Sequence, residues 1–191
     1  MKKLINTSNI ILIRHGQSEW NKLDKFTGWV DVDLSENGII EAQEAAPKIL
    51  KSNIKFDYIY TSSLGRAIKT FQIINRICNF GVDYEINWRL NERHYGALQG
   101  LNKQKMRDIH GEEQVLIWRR SYDVRPPALE EKALEKLKNQ DCFLGQQIES
   151  FPNSESLKDT YERLIPFINK NLLPLIKANK NILICAHGNS I

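Results

Sequence analysis

The sequence predicts an α/β protein with a largely parallel sheet. Short apolar runs bounded by turn residues, typical of buried strands, alternate with longer segments whose apolar residues recur every three or four positions, as in amphipathic helices. The first strand, starting at Ile10 and ending at Arg14, and the last apolar run, residues 181–186, each lead into a histidine and a glycine. Ligands bind at the carboxyl edge of such sheets. His15 and His187 are therefore expected to meet there if the two strands are neighbours.

Length and composition favour one globular catalytic domain, residues 1–191. Hydrophobic residues make up 41% and charged residues 26%, and the longest apolar runs are far too short to cross a bilayer. No signal peptide is recognisable, so we expect a cytoplasmic protein that does not bind membranes. The net charge of +4 is spread along the chain, which does not favour nucleic-acid binding. The three cysteines lack metal-ligand spacing, and no metal site is predicted.

The first half of the chain alternates strands and helices. A short helix is expected within residues 17–25, and Ser35 is the expected N-cap of a second helix that Pro47 should kink or end. Residues 56–61 form the second expected strand. A helix with 3–4 apolar spacing follows from Leu64, and its first turn carries Arg66. Residues 83–88 form the third expected strand.

The second half begins with a loop rich in ionisable groups, residues 90–103. Two short helices follow, broken at Gly111. Residues 128–150 are predicted to contain a charged helix and to form a surface lid or insertion. A long helix over residues 155–178 should be capped by Ser154 and bent by its two prolines. No helix follows the last strand, so the C-terminal part of the fold is expected to be missing.

The ionisable groups expected at the sheet edge suit phosphoryl transfer through a phosphohistidine. Nearby arginines keep an imidazole neutral and nucleophilic, and their planar guanidinium groups match phosphoryl oxygens. A carboxylate in the charged loop can exchange a proton with a substrate hydroxyl. The groups are Arg14, His15, Arg66, Glu92 and His187. Three alternatives remain: two unrelated histidines, a serine nucleophile at Ser62 or Ser190, and arginines at 119–120 that only complement a helix dipole.

Six motifs carry a resemblance to a known family across nearly the whole chain. They are RHGQSEWN at residues 14–21, FTGW at 26–29, YTSSLGRA at 60–67, LNERHYGALQGLNK at 90–103, WRRSYDVRPP at 118–127 and AHGNS at 186–190. On these motifs the chain resembles the histidine phosphatase superfamily and, within it, the cofactor-dependent phosphoglycerate mutases. The resemblance implies a three-layer sandwich, with helices on both faces of the sheet.

The resemblance also implies a reaction and its residues. His15 would be phosphorylated by 2,3-bisphosphoglycerate and would then interconvert 3-phosphoglycerate and 2-phosphoglycerate, an isomerase step of glycolysis and gluconeogenesis. Arg14, Arg66 and His187 would hold the phosphoryl group, with Glu92 as acid and base. A homodimer or homotetramer is implied. The implied substrate-binding residues are Ser18, Asn21, Thr27, Gly28, Arg93, His94, Tyr95, Lys103, Arg119, Arg120, Gly188 and Asn189.

Two departures from the family pattern leave other functions open. Residues 128–150 do not look like the family's usual sequence, and the family normally continues past AHGNS into a mobile tail that excludes water. Without that cover, water would compete for the phosphohistidine. A bisphosphoglycerate mutase or phosphatase, and a non-catalytic binding or assembly subunit, are therefore the alternatives.

Overall fold

A parallel four-stranded sheet forms the centre of the protein, for which the computed structural model describes residues 7–191. Its strands are β1 (Ile10–Arg14), β2 (Tyr58–Thr61), β3 (Tyr84–Ile86) and β4 (Ile182–Ala186), in the spatial order β1–β4–β2–β3. All five residues of β4 are buried, because β4 lies between β1 and β2. The four strands predicted from the sequence are confirmed, and their parallel pairing confirms the fold class.

The first and last strands are neighbours, as the expected meeting of the two histidines requires. The register pairs Ile10 with Ile182 and Arg14 with Ala186. The next backbone amide along the chain, that of His15, donates to the carbonyl of Ala186 at 3.0 Å. Both histidines therefore leave the sheet at the same level of its carboxyl edge.

One face of the sheet is covered by α2 (Glu36–Lys51) and α3 (Gly65–Cys78). Their apolar sides pack with alternate strand residues into one cluster, which includes Ala46, Phe71, Ile59, Leu183 and Cys185. Ser35 caps α2 by accepting a hydrogen bond from the amide of Gly38 at 3.1 Å, as predicted. The helix does not end at Pro47, one of the two outcomes predicted there, but continues to Lys51.

The other face is covered by α7 (Leu157–Phe167), a π-helical turn (Ile168–Leu172) and α8 (Leu173–Lys177). Phe167 packs there against Tyr60, Ile182 and Ile184. Helices therefore lie on both faces, which confirms the three-layer sandwich. Ile10 and Leu12 remain 42% and 52% exposed, because the helices on this face pack over β2 and β4 rather than over the edge strand β1.

The predicted N-cap of the long helix over residues 155–178 is wrong. Its N-cap is Ser156, which forms a capping box with Asp159, whereas the Ser154 hydroxyl donates to the carbonyl of Pro126. The helix also changes to π-helical hydrogen bonding before Pro174, which has no amide proton to continue the α-helical pattern.

Four shorter helices lie in the segments that connect these elements: α1 (Glu19–Lys22), α4 (Lys103–His110), α5 (Glu112–Arg120) and α6 (Glu131–Lys138). Within residues 128–150, expected to form a surface lid or insertion, Leu137 and Phe143 are buried against Trp29 and Leu64.

Among residues 7–191, the structure contains no helix that is both long and apolar enough to span a membrane.

The turn after β1 lies directly against the start of α2. A Cβ atom at Gly16 would lie 2.2 Å from the carbonyl oxygen of Gly38, and a Cβ at Gly38 would lie 2.0 Å from that of Gln17. Real Cβ atoms do not approach backbone oxygens so closely. Two glycines therefore allow α2 to support the backbone that carries His15.

Candidate active site

A cavity of about 290 Å³ opens at the carboxyl edge of the sheet. Thirteen residues predicted from the sequence line it, together with Lys25 and Phe26, which were not predicted. The thirteen are Arg14, His15, Asn21, Thr27, Gly28, Arg66, Glu92, Tyr95, Lys103, Arg119, Arg120, Gly188 and Asn189.

His15 is held as a neutral nucleophile. Its Nδ1 lies 2.6 Å from the carbonyl oxygen of Gly16, which can only accept, so Nδ1 carries the ring proton and Nε2 carries the lone pair. Burial, followed by the positive charge of Arg66, lowers the pKa of His15 from 6.5 to about 3. The imidazole therefore stays unprotonated at neutral pH and can attack an electrophile through Nε2.

His187 lies beside His15, with ring centroids 4.9 Å apart. Complete burial and the nearby Arg66 hold the pKa of His187 well below its usual value. Its Nε2 lies 2.7 Å from the Ser62 hydroxyl, which already accepts from the amide of Leu64. When Ser62 donates to Nε2, the ring proton is on Nδ1. This buried atom has no hydrogen-bond partner among the described residues, and it is available to a ligand oxygen.

Arg66 is a buried cation fixed by backbone carbonyls. Its two terminal nitrogens donate to the carbonyls of Val30 at 3.0 Å and Gly28 at 2.7 Å, while its buried Nε has no partner among the described residues. Burial lowers the pKa of Arg66 to about 10, so it is still charged at neutral pH. Gly28 has a φ of +59°, and a Cβ there would lie 2.1 Å from the side-chain oxygen of Gln99, so only glycine fits this wall.

Glu92 supplies the carboxylate of the cavity. Its Oε1 accepts hydrogen bonds from the amide of Arg93 and from the side-chain nitrogen of Asn189, each at 2.7 Å. Both bonds go to the same oxygen, so Oε2 is the oxygen left to meet a ligand.

Further cations come from the helices that border the cavity. Lys103 begins α4 and pairs with Asp24 at 2.8 Å, and Arg119 and Arg120 end α5. All three side chains line the cavity, and Lys25 adds a fourth positive charge. The cavity therefore suits a small ligand with more than one negative group.

Comparison with known proteins assigns the family. Residues 10–139 match the model of the histidine phosphatase superfamily, branch 1. The chain is also 48% identical over 183 residues to a 2,3-bisphosphoglycerate-dependent phosphoglycerate mutase of Treponema denticola, covering 95% of this chain and 74% of that protein. The chain belongs to the histidine phosphatase superfamily, in its phosphoglycerate mutase family.

Solved structures support the fold of this histidine phosphatase. A phosphoglycerate mutase from Bacillus anthracis is 21% identical with a TM-score of 0.68, over 96% of this chain and 77% of that one. A mycobacterial glucosyl-3-phosphoglycerate phosphatase in complex with VO3 is 24% identical with a TM-score of 0.69, over 94% and 76%. At these identities the likeness concerns the fold alone.

Four residues predicted for this site are buried and are not among the cavity-lining residues: Ser18, Arg93, His94 and His187. Ser18 caps α1, and Arg93 donates to the carbonyl of Arg119 at 2.8 Å. His94 accepts from the amide of Gly96 at 3.0 Å, and burial lowers its pKa to about 3. Ligand contacts by all four residues stay predictions.

Several residues that support the histidine phosphatase site were not predicted. Phe26 is the first residue of the FTGW motif and Lys25 directly precedes it, so their position in or beside that motif was the available signal. Ser62 was considered only as a nucleophile, yet it is fully buried and bonded to His187. Glu155 and Arg163 carried no signal, because charged side chains in and beside helices usually face solvent.

Proposed function

We propose that this chain is a 2,3-bisphosphoglycerate-dependent phosphoglycerate mutase that interconverts 3-phosphoglycerate and 2-phosphoglycerate through a phosphohistidine on His15. The observation that carries the proposal is the neutral His15, which keeps its ring proton on Nδ1, lines the cavity together with Arg66 and lies beside His187. The 48% identity to a protein with this name supports the same reaction.

The donors around His15 fit a phosphoryl group. Eight buried side-chain polar atoms have no partner within residues 7–191, and three of them are Thr27 Oγ1, Arg66 Nε and His187 Nδ1. Such atoms cost free energy unless a ligand satisfies them. Lys25, Lys103, Arg119 and Arg120 would meet a carboxylate or a second phosphate. When bound, 2,3-bisphosphoglycerate supplies the phosphoryl group that primes the enzyme.

The residues around His15 divide the phosphoryl-transfer step between them. Nε2 of His15 attacks phosphorus, and its proton stays on Nδ1, held by the Gly16 carbonyl. Arg14 and Arg66 stabilise the equatorial oxygens, where negative charge accumulates, and His187 donates from Nδ1. These donors are in place before the ligand arrives, so little reorganisation is needed during the reaction.

Glu92 moves the proton. The substrate oxygen that leaves phosphorus needs a proton, and the hydroxyl that attacks the phosphohistidine must lose one. Oε2 of Glu92 is the oxygen placed for both transfers, because Oε1 is occupied by Arg93 and Asn189. The side-chain nitrogen of Asn189 also lies 3.5 Å from the Tyr95 hydroxyl oxygen.

Three further properties belong to the proposal. We infer a place in glycolysis and gluconeogenesis, a cytoplasmic location, and a homodimer or homotetramer. The family membership supports all three. Size-exclusion chromatography with light scattering tests the oligomer.

The experiment follows the conversion of 3-phosphoglycerate to 2-phosphoglycerate with and without added 2,3-bisphosphoglycerate, and measures inorganic phosphate in parallel. We expect flux that depends on the bisphosphate, together with an acid-labile phosphoryl label that maps to His15. His15→Asn should abolish both. Net phosphate release without isomerisation would identify a phosphatase, and flux retained by His15→Asn would refute the mechanism.

A further inference from the structure

A buried ion pair lies behind the loop that carries Glu92. Nε of Arg163, on α7, lies 2.6 Å from Oε1 of Glu155, and their side chains are only 6% and 4% exposed. A terminal nitrogen of Arg163 reaches the other Glu155 oxygen at 3.1 Å. Neither residue lines the cavity, so the pair contacts no ligand there.

The pair uses its remaining hydrogen-bonding capacity on the backbone around Glu92. Arg163 donates to the carbonyls of Arg89 at 2.6 Å, Asn91 at 3.1 Å and Glu92 at 3.2 Å. Glu155 accepts from the amide of His94 at 2.9 Å. The two side chains therefore hold the backbone on both sides of Glu92.

Trp29 completes this support. Its indole nitrogen donates to the carbonyl of Glu92, and its ring lies 5.3 Å from the guanidinium carbon of Arg163. The backbone of Glu92 is thus fixed from behind by Trp29 and Arg163. Asn189 fixes its carboxylate from the cavity side.

Stability alone does not account for this arrangement. A buried ion pair carries a large desolvation cost, and well-packed apolar residues of similar volume often serve stability as well or better. Few other side chains could satisfy three carbonyls that converge from one tight turn. A displacement of about 1 Å in a reacting group can cost on the order of 100-fold in rate. Precise placement of Glu92 is the property that the pair supplies.

We propose that Glu155 and Arg163 are positioning residues that hold Glu92 Oε2 at the reacting oxygen of the substrate. The inference rests on the proposed acid and base role of Glu92. It implies that loss of the pair slows proton transfer while the phosphoryl-binding groups around His15 keep their affinity.

The test compares Arg163→Lys with Arg125→Gln. Lysine keeps the charge but cannot reach the carboxylate and three carbonyls together. Arg125 forms an ion pair at the surface with Asp159, which lies on α7 as Arg163 does, so Arg125 is the matched control. We expect Arg163→Lys to lower kcat about 10- to 100-fold and to change KM and the inhibition constant of orthovanadate less than twofold. Arg125→Gln should change none of them.

The same substitution in a Glu92→Gln background separates positioning from general damage. If Arg163 acts through Glu92, Arg163→Lys should cause little further loss there. An equal fold-loss in both backgrounds, unchanged kcat in the single variant, or weakening of vanadate inhibition in step with kcat would overturn the inference. Full activity of Glu92→Gln would instead remove the proposed role of Glu92, and the inference with it.

Trp29→Phe provides a second variant if Arg163→Lys does not fold. It removes the indole donor to Glu92 and leaves the ion pair in place. We expect a kcat loss of about 3- to 10-fold that disappears in the Glu92→Gln background, with vanadate inhibition unchanged. A loss of the same size in both backgrounds would show that Trp29 does not act through Glu92 and would count against the support described here.

Discussion

Mild acid should destabilise this protein strongly through three buried histidines. Burial lowers the pKa of His15 and His94 to about 3 and holds that of His187 well below its usual value. The unfolded chain binds these protons near pH 6.5, so their stabilising contribution is complete above that pH and is lost as the pH falls. At pH 5 the His15 and His94 rings each cost about 2 kcal/mol relative to pH 8, and His187 adds to this loss, which is therefore a large fraction of the stability of a typical domain.

Urea unfolding at pH 8, 6.5, 5.5 and 5, followed by far-UV circular dichroism, measures this loss. The window excludes Asp159, whose lowered pKa affects stability only where carboxylates titrate, below about pH 4. His187→Asn should reduce the fall between pH 8 and pH 5, whereas His110→Gln, at an exposed position, should leave it unchanged. A free energy of unfolding that is flat from pH 8 to pH 5 would refute the assignment of neutral buried rings.

Three other substitutions test the site and its support. Glu92→Gln should lower kcat about 10²- to 10⁴-fold with the vanadate inhibition constant unchanged, and a parallel loss of vanadate affinity would make Glu92 structural. Arg119→Gln combined with Arg120→Gln should raise KM about 10- to 100-fold and spare vanadate binding, so an unchanged KM would mean that these cations serve only the end of α5. Gly16→Ala should destabilise by about 1–3 kcal/mol in thermal or urea unfolding, since its Cβ would meet the backbone of Gly38, and a wild-type midpoint would show that this contact is loose.

Much of the fold could be predicted because apolar periodicity and capping residues act locally. Ser35 and the apolar run before His15 each signal an element through their immediate neighbours. The exposure of Leu12 could not be predicted in this way, since it depends on which helices cover the sheet. The choice of Ser156 over Ser154 as a cap depends on which hydroxyl the distant carbonyl of Pro126 engages.

The cavity lining could be predicted largely because its residues belong to short motifs that carry their own chemistry. His15, Arg66 and Glu92 each stand in such a motif. Residues that act on other residues leave no comparable signal. Arg163 lies eight positions after Glu155, and sequence patterns place charged residues of this kind on the solvent-facing side of a helix. Only the folded chain shows that both side chains are buried behind Glu92.

The two buried histidines are neutral whereas the buried Arg66 is charged, and both results depend on the exclusion of water. It removes the proton from His15, which makes a nucleophile, and it leaves Arg66 charged because guanidinium starts from a far higher pKa. A site with more water would protonate His15 more readily and would screen Arg66. Nucleophile and cation can coexist within one small cavity because burial shifts both pKa values downward, and neutral pH lies between the two results.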